Sequence, residues 1–200
     1  MIRGVVLFPG AGSSADHPSL LASQQALQPL PVARVDFPYR RAGRRAPDRA
    51  PVLVQAVREA IADVCAQWSC RTTDLVIGGR SMGGRVCSLA VAGYDGNHKS
   101  AQPVDAPLAV AGLVCVAYPL HPPGEPQKLR IAHLPHLAVP SLFVSGTRDQ
   151  FGTPEELRRH LGVVRGPSTL KFIDGARHDL RGKDTAVADL VAAWVKSLNN

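Results

Sequence analysis

The sequence predicts an α/β fold in which a mostly parallel sheet is covered by helices on both faces. Three observations lead there. Strand-length runs that are nearly unbroken in apolar residues recur along the chain, as in GVVLF and DLVIG, and a strand apolar on both sides needs cover on both. Longer segments with apolar residues at helical spacing lie between them. The strands lead into loops rich in glycine and proline, where such sheets carry their functional groups. The chain has 200 residues, 45% of them hydrophobic. That is enough for one core, and no repeat or linker divides it, so residues 1–200 are read as a single domain.

The elements follow in order. Ile2 to Phe8 is the first strand, ended by Pro9-Gly10, and Val32 to Phe37 is the second, stopped by Pro38. Pro47 to Trp68 is a helix: Pro47 suits a first helical position, and Leu53, Val57, Ile61, Val64 and Trp68 share one face. Asp74 to Gly78 is the third strand. Ser81 to Ala92 is a helix with Met82, Val86, Leu89 and Ala90 inward. Leu108 to Tyr118 is a long strand closed by Pro119, and Pro140 to Ser145 is another. Thr153-Pro154-Glu155-Glu156 opens a helix with Thr153 as cap and Glu156 completing a capping box. Thr169 to Ile173 is the last strand and Thr185 to Leu198 the last helix. The stretches 38–47, 95–107 and 119–139 are read as surface loops, the last with room for a short helical turn. Asp16-His17-Pro18 reads as a turn.

Composition narrows the function classes. The net charge of +7 allows a nucleic-acid or anionic-surface partner. Aromatics are only 5% of the chain, and no binding motif accompanies the arginines, which argues against nucleic acid. No stretch approaches the roughly 18 apolar residues of a membrane span, so no membrane partner is expected. The apolar run Val5 to Phe8 is too short for a signal-peptide core. Cys65, Cys70, Cys87 and Cys115 form no C-x-x-C pair, so they do not read as a zinc site, and reduced thiols in the cytoplasm are expected.

The residues that carry chemistry sit in the strand-end loops. Gly79-Arg80-Ser81-Met82-Gly83 is G-x-S-x-G between a predicted strand and a predicted helix, the setting of a nucleophilic serine on a sharp turn. Bulky residues two before and two after the serine would collide across that turn. A serine nucleophile needs a base, and the base needs an orienting acid. Asp149 follows the PSLFVS strand and His178 follows the last strand, which gives the chain order Ser, Asp, His. Asp174 and Asp179 compete for the acid's place, but the loop of Asp149 is expected beside that of Ser81. The amide of Met82 is one expected oxyanion donor, and Ala11 in Pro9-Gly10-Ala11-Gly12 is the second. That turn lacks the spacing of a phosphate-binding loop. Metal and cofactor are not expected.

The strand–PGAG, strand–GGRSMGG, strand–GTRDQFG and strand–GARHDL series resembles a small α/β-hydrolase of the dienelactone-hydrolase-like superfamily. FPYRRAGRRAPDRAP and AYPLHPPGEPQKLR look like the branch related to NSL-complex subunit 3 and the testis-expressed hydrolase-like proteins. The resemblance covers nearly the whole chain. It implies Ser81 as nucleophile, Asp149 as acid and His178 as base. Pro9 departs from the His that many relatives carry there.

The expected function is hydrolysis of an ester or thioester of a small acyl substrate through an acyl-enzyme, with a non-catalytic scaffold of the same fold as the alternative. Arg40, among Arg41, Arg44, Arg45 and Arg49, places a basic rim near the site and suggests an anionic substrate; a solvated loop is the competing reading. Gly10, Tyr118 and His121 are further candidate substrate contacts. Arg80 and Arg85 flank Ser81 in either a binding or a structural role. The short 119–139 stretch predicts a site with no lid domain.

Overall fold

Gly4–Phe8 (β1), Val32–Arg34 (β2), Leu75–Arg80 (β3), Gly112–Val116 (β4), Ser141–Gly146 (β5) and Ser168–Ile173 (β6) form one sheet in the order β2-β1-β3-β4-β5-β6. These elements come from a computed structural model that describes residues 1–97 and 102–199. Every pairing between them is parallel. The four inner strands are apolar and buried, whereas the edge strands β2 and β6 are only partly buried. Side chains alternate across the sheet, so Val5 and Leu7 belong to one core layer while Val6 and Phe8 belong to the other.

The second layer is filled by Ala50–Trp68 (α3), Met82–Ala92 (α4) and Pro154–Leu161 (α5). Leu53, Val57, Ile61 and Val64 of α3 are buried as their spacing predicts. The first layer is covered by Pro18–Ala26 (α1) and Asp184–Ser197 (α6), which pack on each other. A fully buried aliphatic side chain of this kind contributes about 1.5–3 kcal/mol.

The structure corrects several boundaries. Helix α3 starts at Ala50, not Pro47, with Pro51 in its first turn. A start at Pro47 would put Pro51 inside the helix, where its ring clashes with the carbonyl four residues back. The predicted loop at 38–47 begins with a short helix, Pro38–Arg41 (α2). The predicted strand Leu108 to Tyr118 is a strand only over Gly112–Val116, and Ala117, at φ 52°, turns the chain away at its C-terminal end. The Asp16-His17-Pro18 turn is the start of α1, with His17 Nδ1 accepting from the Ser19 amide at 3.2 Å. Only Ser19, Leu20 and Ser23 of α1 are buried, so no apolar stripe announces it. In 119–139 a single 3-10 turn forms at Leu134–His136. Part of the 95–107 loop, residues 98–101 with His98, lies outside the described residues.

The capping box of α5 forms as its sequence predicts. The Glu156 amide donates to Thr153 Oγ1 at 3.2 Å, and the Thr153 amide donates to Glu156 Oε2 at 2.8 Å. That amide, more than any other group, holds the Glu156 carboxyl below its ordinary value. A depressed folded-state value means stabilisation that is present at neutral pH and lost as pH falls through the carboxylate range. Thr153→Ala is expected to cost about 1 kcal/mol, read as a lower midpoint in urea unfolding with an unchanged slope.

Candidate active site

Ser81 stands between β3 and α4 with φ 49° and ψ −116°, a backbone conformation that a side chain adopts only under strain. The glycines around it make the turn feasible. A Cβ at Gly79 would lie 2.1 Å from the Phe8 carbonyl oxygen, and one at Gly83 would lie 2.3 Å from the same atom. Strand β1 therefore presses against both sides of the elbow. The Ser81 amide donates to the Val116 carbonyl at 2.7 Å, which ties the turn to the end of β4.

Three loops bring the predicted residues together. Ser81 Oγ lies 2.8 Å from His178 Nε2. His178 Nδ1 lies 3.0 and 2.9 Å from the two carboxylate oxygens of Asp149. The carboxylate can only accept, so Nδ1 carries the proton and Nε2 is left to accept from Ser81. Asp149 is 2% exposed. Its Oδ2 also accepts from Ser145 Oγ at 3.1 Å and its Oδ1 from the Phe151 amide at 2.8 Å. The Phe151 ring lies against the imidazole, centroids 3.9 Å apart. Of the two competing acids, Asp174 instead accepts from Thr147 Oγ1 at 3.3 Å and Asp179 from the Arg181 amide at 3.4 Å.

Ser81 and His178 open into a cavity of about 390 Å³ that Ala11 and Met82 also line. Met82 is the first residue of α4, so its amide has no carbonyl within the helix to donate to. Ala11 sits in a turn closed by the Ser13 amide on the Gly10 carbonyl at 3.2 Å. Both candidate oxyanion donors thus border the space beside Ser81. Gly10 backs the site: a Cβ there would come 3.5 Å from the Ser81 Cβ and 3.3 Å from Arg80 Nη1.

The other candidate contacts are placed elsewhere. Tyr118 is buried beneath the site, and its hydroxyl donates to the Arg130 carbonyl at 2.8 Å. His121 is also buried, between the Pro122 carbonyl and Glu156. Neither lines the cavity, because Ala117 swings the chain away from the strand axis before it reaches them. Arg40 does not line it either: on α2 it donates to the Arg44 carbonyl at 3.3 Å, and Arg44 pairs with Asp48. The basic groups that do face Ser81 are Arg80, Arg85 and Arg130. Arg85 was legible as one helical turn beyond Ser81. Phe151 stands two residues after Asp149. Arg130 has no local signal, because its position depends on the path of the whole 119–139 segment. That segment forms a wall of the cavity through Pro119 and Arg130.

Among the described residues no three His, Cys, Asp or Glu side chains cluster in a way that could hold a metal. All four cysteines are free. Among the described residues no helix is long and apolar enough to cross a membrane.

A model of the alpha/beta hydrolase domain family matches residues 2–198. Among solved structures, a dienelactone hydrolase from Anabaena variabilis superimposes with a TM-score of 0.71 at 22% identity, over 98% of this chain and 87% of its own. An α/β serine hydrolase without a lid from Xanthomonas campestris gives 0.68 at 18%, over 98% and 83%. An α/β serine hydrolase homologue from Coxiella burnetii gives 0.70 at 18%, over 96% and 85%. At these identities the likeness is one of fold.

Proposed function

The chain belongs to the alpha/beta hydrolase domain family, and we propose that it is a serine hydrolase cleaving an ester or thioester of a small acyl substrate. One observation carries this reading. A hydrogen-bonded series runs from Ser81 Oγ through His178 to the buried Asp149, and it opens on a cavity that also presents the Met82 and Ala11 residues. Within the family, the 37–51 and 117–130 segments are the reason to group the chain with the branch related to NSL-complex subunit 3. The free thiols favour a cytoplasmic setting.

The chemistry follows from the atoms. Ser81 Oγ attacks the acyl carbonyl carbon while its proton passes to His178 Nε2. Asp149 holds Nδ1–H and stabilises the imidazolium that results. The Met82 and Ala11 amides receive the negative charge that develops on the carbonyl oxygen. Collapse of the tetrahedral intermediate breaks the C–O or C–S bond, and the leaving group takes the proton from Nε2. Water then gives a proton to Nε2 and attacks the acyl-serine; collapse of this second intermediate breaks the acyl–Oγ bond, Ser81 Oγ takes the proton back from Nε2, and the acid is released.

The test is covalent. A fluorophosphonate probe should phosphonylate Ser81 Oγ with loss of fluoride, and peptide mass spectrometry should place the adduct on the GGRSMGGR segment. An unmodified Ser81 under conditions that label a known serine hydrolase would overturn the reading and favour a non-catalytic scaffold.

A further inference from the structure

The cavity beside Ser81 carries a positive charge that acyl transfer does not use. Arg80, Arg85 and Arg130 line it, and no carboxylate does. Arg80 is the one with a partner: its Nη2 donates to the His178 carbonyl at 3.1 Å, and Asp179, Asp149 and Asp184 act on its charge. Arg85 and Arg130 are different. Among the described residues neither guanidinium has a hydrogen bond or an ion pair, and Arg85 Nε is buried with no acceptor. Burial pulls both below the ordinary arginine value, and the charge of Arg85 pulls Arg130 down further. The nearby His133 imidazole is held neutral by burial, down to about 3, so it adds no third positive charge to the two arginines. Glu125 acts on the Arg130 charge only at a distance, since its carboxylate is paired with Lys128.

Arginine stays protonated in proteins, so two like charges share this wall, Arg85 mostly buried and Arg130 half-buried. Buried charges are normally paired, and the partner missing here is an anion. We propose that Arg85 and Arg130 form an anion subsite, and that the substrate is an ester or thioester bearing a carboxylate or phosphate group in addition to the bond that is cleaved. The identification of the ester or thioester rests on the serine-hydrolase reading above; the subsite itself does not.

The geometry limits the spacer. Arg85 lies one turn beyond Ser81 on α4, its amide donating to the Ser81 carbonyl at 3.0 Å. Helical side chains lean back toward the N-terminus, which brings this guanidinium toward the reacting serine. A cavity of about 390 Å³ is at the small end of ligand pockets. The anionic group therefore sits a few bonds from the scissile carbonyl, as in a monoester of a short dicarboxylic acid. The same two arginines also border a smaller cavity of about 100 Å³ on the far side. Occupancy there would leave Ser81 accessible.

The experiment compares kcat/KM for the p-nitrophenyl monoesters of glutarate and 3-phosphonopropionate with that for neutral p-nitrophenyl valerate. At least one anionic ester should exceed the valerate by about tenfold or more, the scale of a charged hydrogen bond, and the better arm tells carboxylate from phosphate. Arg85→Gln and Arg130→Gln should each lower that ratio by about tenfold, while Arg159→Gln on the surface should not change it. Glutarate or inorganic phosphate should inhibit valerate hydrolysis competitively. Equal rates on all three esters, or inhibition that is not competitive, would overturn the proposal. If no ester turns over, the serine-hydrolase reading fails, and the subsite is decided by melting temperature. Glutarate or phosphate should raise it in the parent protein and not in folded Arg85→Gln or Arg130→Gln; no rise in the parent would overturn the subsite as well.

Discussion

Ser81→Ala is expected to lower kcat/KM on an activated ester by about 10⁴- to 10⁶-fold, because members of such a triad act as a unit. The fold should survive the change. Alanine at φ 49° carries the same Cβ strain as serine, so the melting temperature should stay close to the parent value. The molecule supplies its own control. A second serine–histidine pair, Ser88 with His133, has the same 2.8 Å separation. Ser88 is fully buried, its hydroxyl donates to the Arg85 carbonyl at 2.7 Å, and His133 has no carboxylate behind it. Ser88→Ala should therefore leave the activity of the folded fraction within a few-fold. What distinguishes Ser81 from Ser88 is access to a cavity and an imidazole oriented by a carboxylate, and the hydrogen-bond length alone supplies neither. Residual activity of Ser81→Ala within tenfold of the parent would remove Ser81 from the mechanism.

The parts of the site that were legible in the sequence share a physical cause. Parallel strands all end on one edge, so residues that follow strands converge there whatever their separation in the chain. Ser81, Asp149 and His178 stand in the loops that leave β3, β5 and β6, one, three and five residues after the strand ends, and they meet. Met82 and Ala11 were placed by the same rule. The rule fails where the backbone turns away just beyond the strand, however near the residue stands to the strand end. Tyr118 and His121 also follow a strand, yet Ala117 at φ 52° redirects the chain and both are buried away from the cavity. Arg40 leaves the rim because residues 38–41 form a helix, which turns its guanidinium onto the Arg44 carbonyl. Arg130 was out of reach, since no periodicity fixes a residue midway along a long irregular segment. Helix α1 escaped for another reason. Its sequence, PSLLASQQA, lacks an apolar stripe, and its stability comes from packing on α6. The +7 charge of the chain changes meaning accordingly. Its bearing on function lies with Arg85 and Arg130 inside the cavity, rather than with the arginines of 40–49.

Asp149→Asn tests the orientation of the base separately from the presence of the nucleophile. In the native site both carboxylate oxygens face His178 Nδ1, and both have second donors, Ser145 Oγ on Oδ2 and the Phe151 amide on Oδ1. An asparagine can supply only one oxygen. The Phe151 amide, at 2.8 Å, cannot accept, so it claims that oxygen and turns the amide NH₂ toward the Ser145 and His178 side. Nδ1 must then accept, and the single imidazole proton moves to Nε2. There it faces Ser81 Oγ and cannot receive a proton from it. The expected result is a loss of about 10⁴-fold in kcat near neutral pH, with KM changed much less because the cavity wall is untouched. Removing a buried charge also removes its desolvation cost, so the melting temperature should not fall in proportion to the activity. Nitrogen NMR of the His178 ring reads the tautomer directly: Nδ1–H in the parent, Nε2–H in the variant. A variant that retains the Nδ1–H tautomer and more than a tenth of the parent rate would show that Asp149 does not set the base.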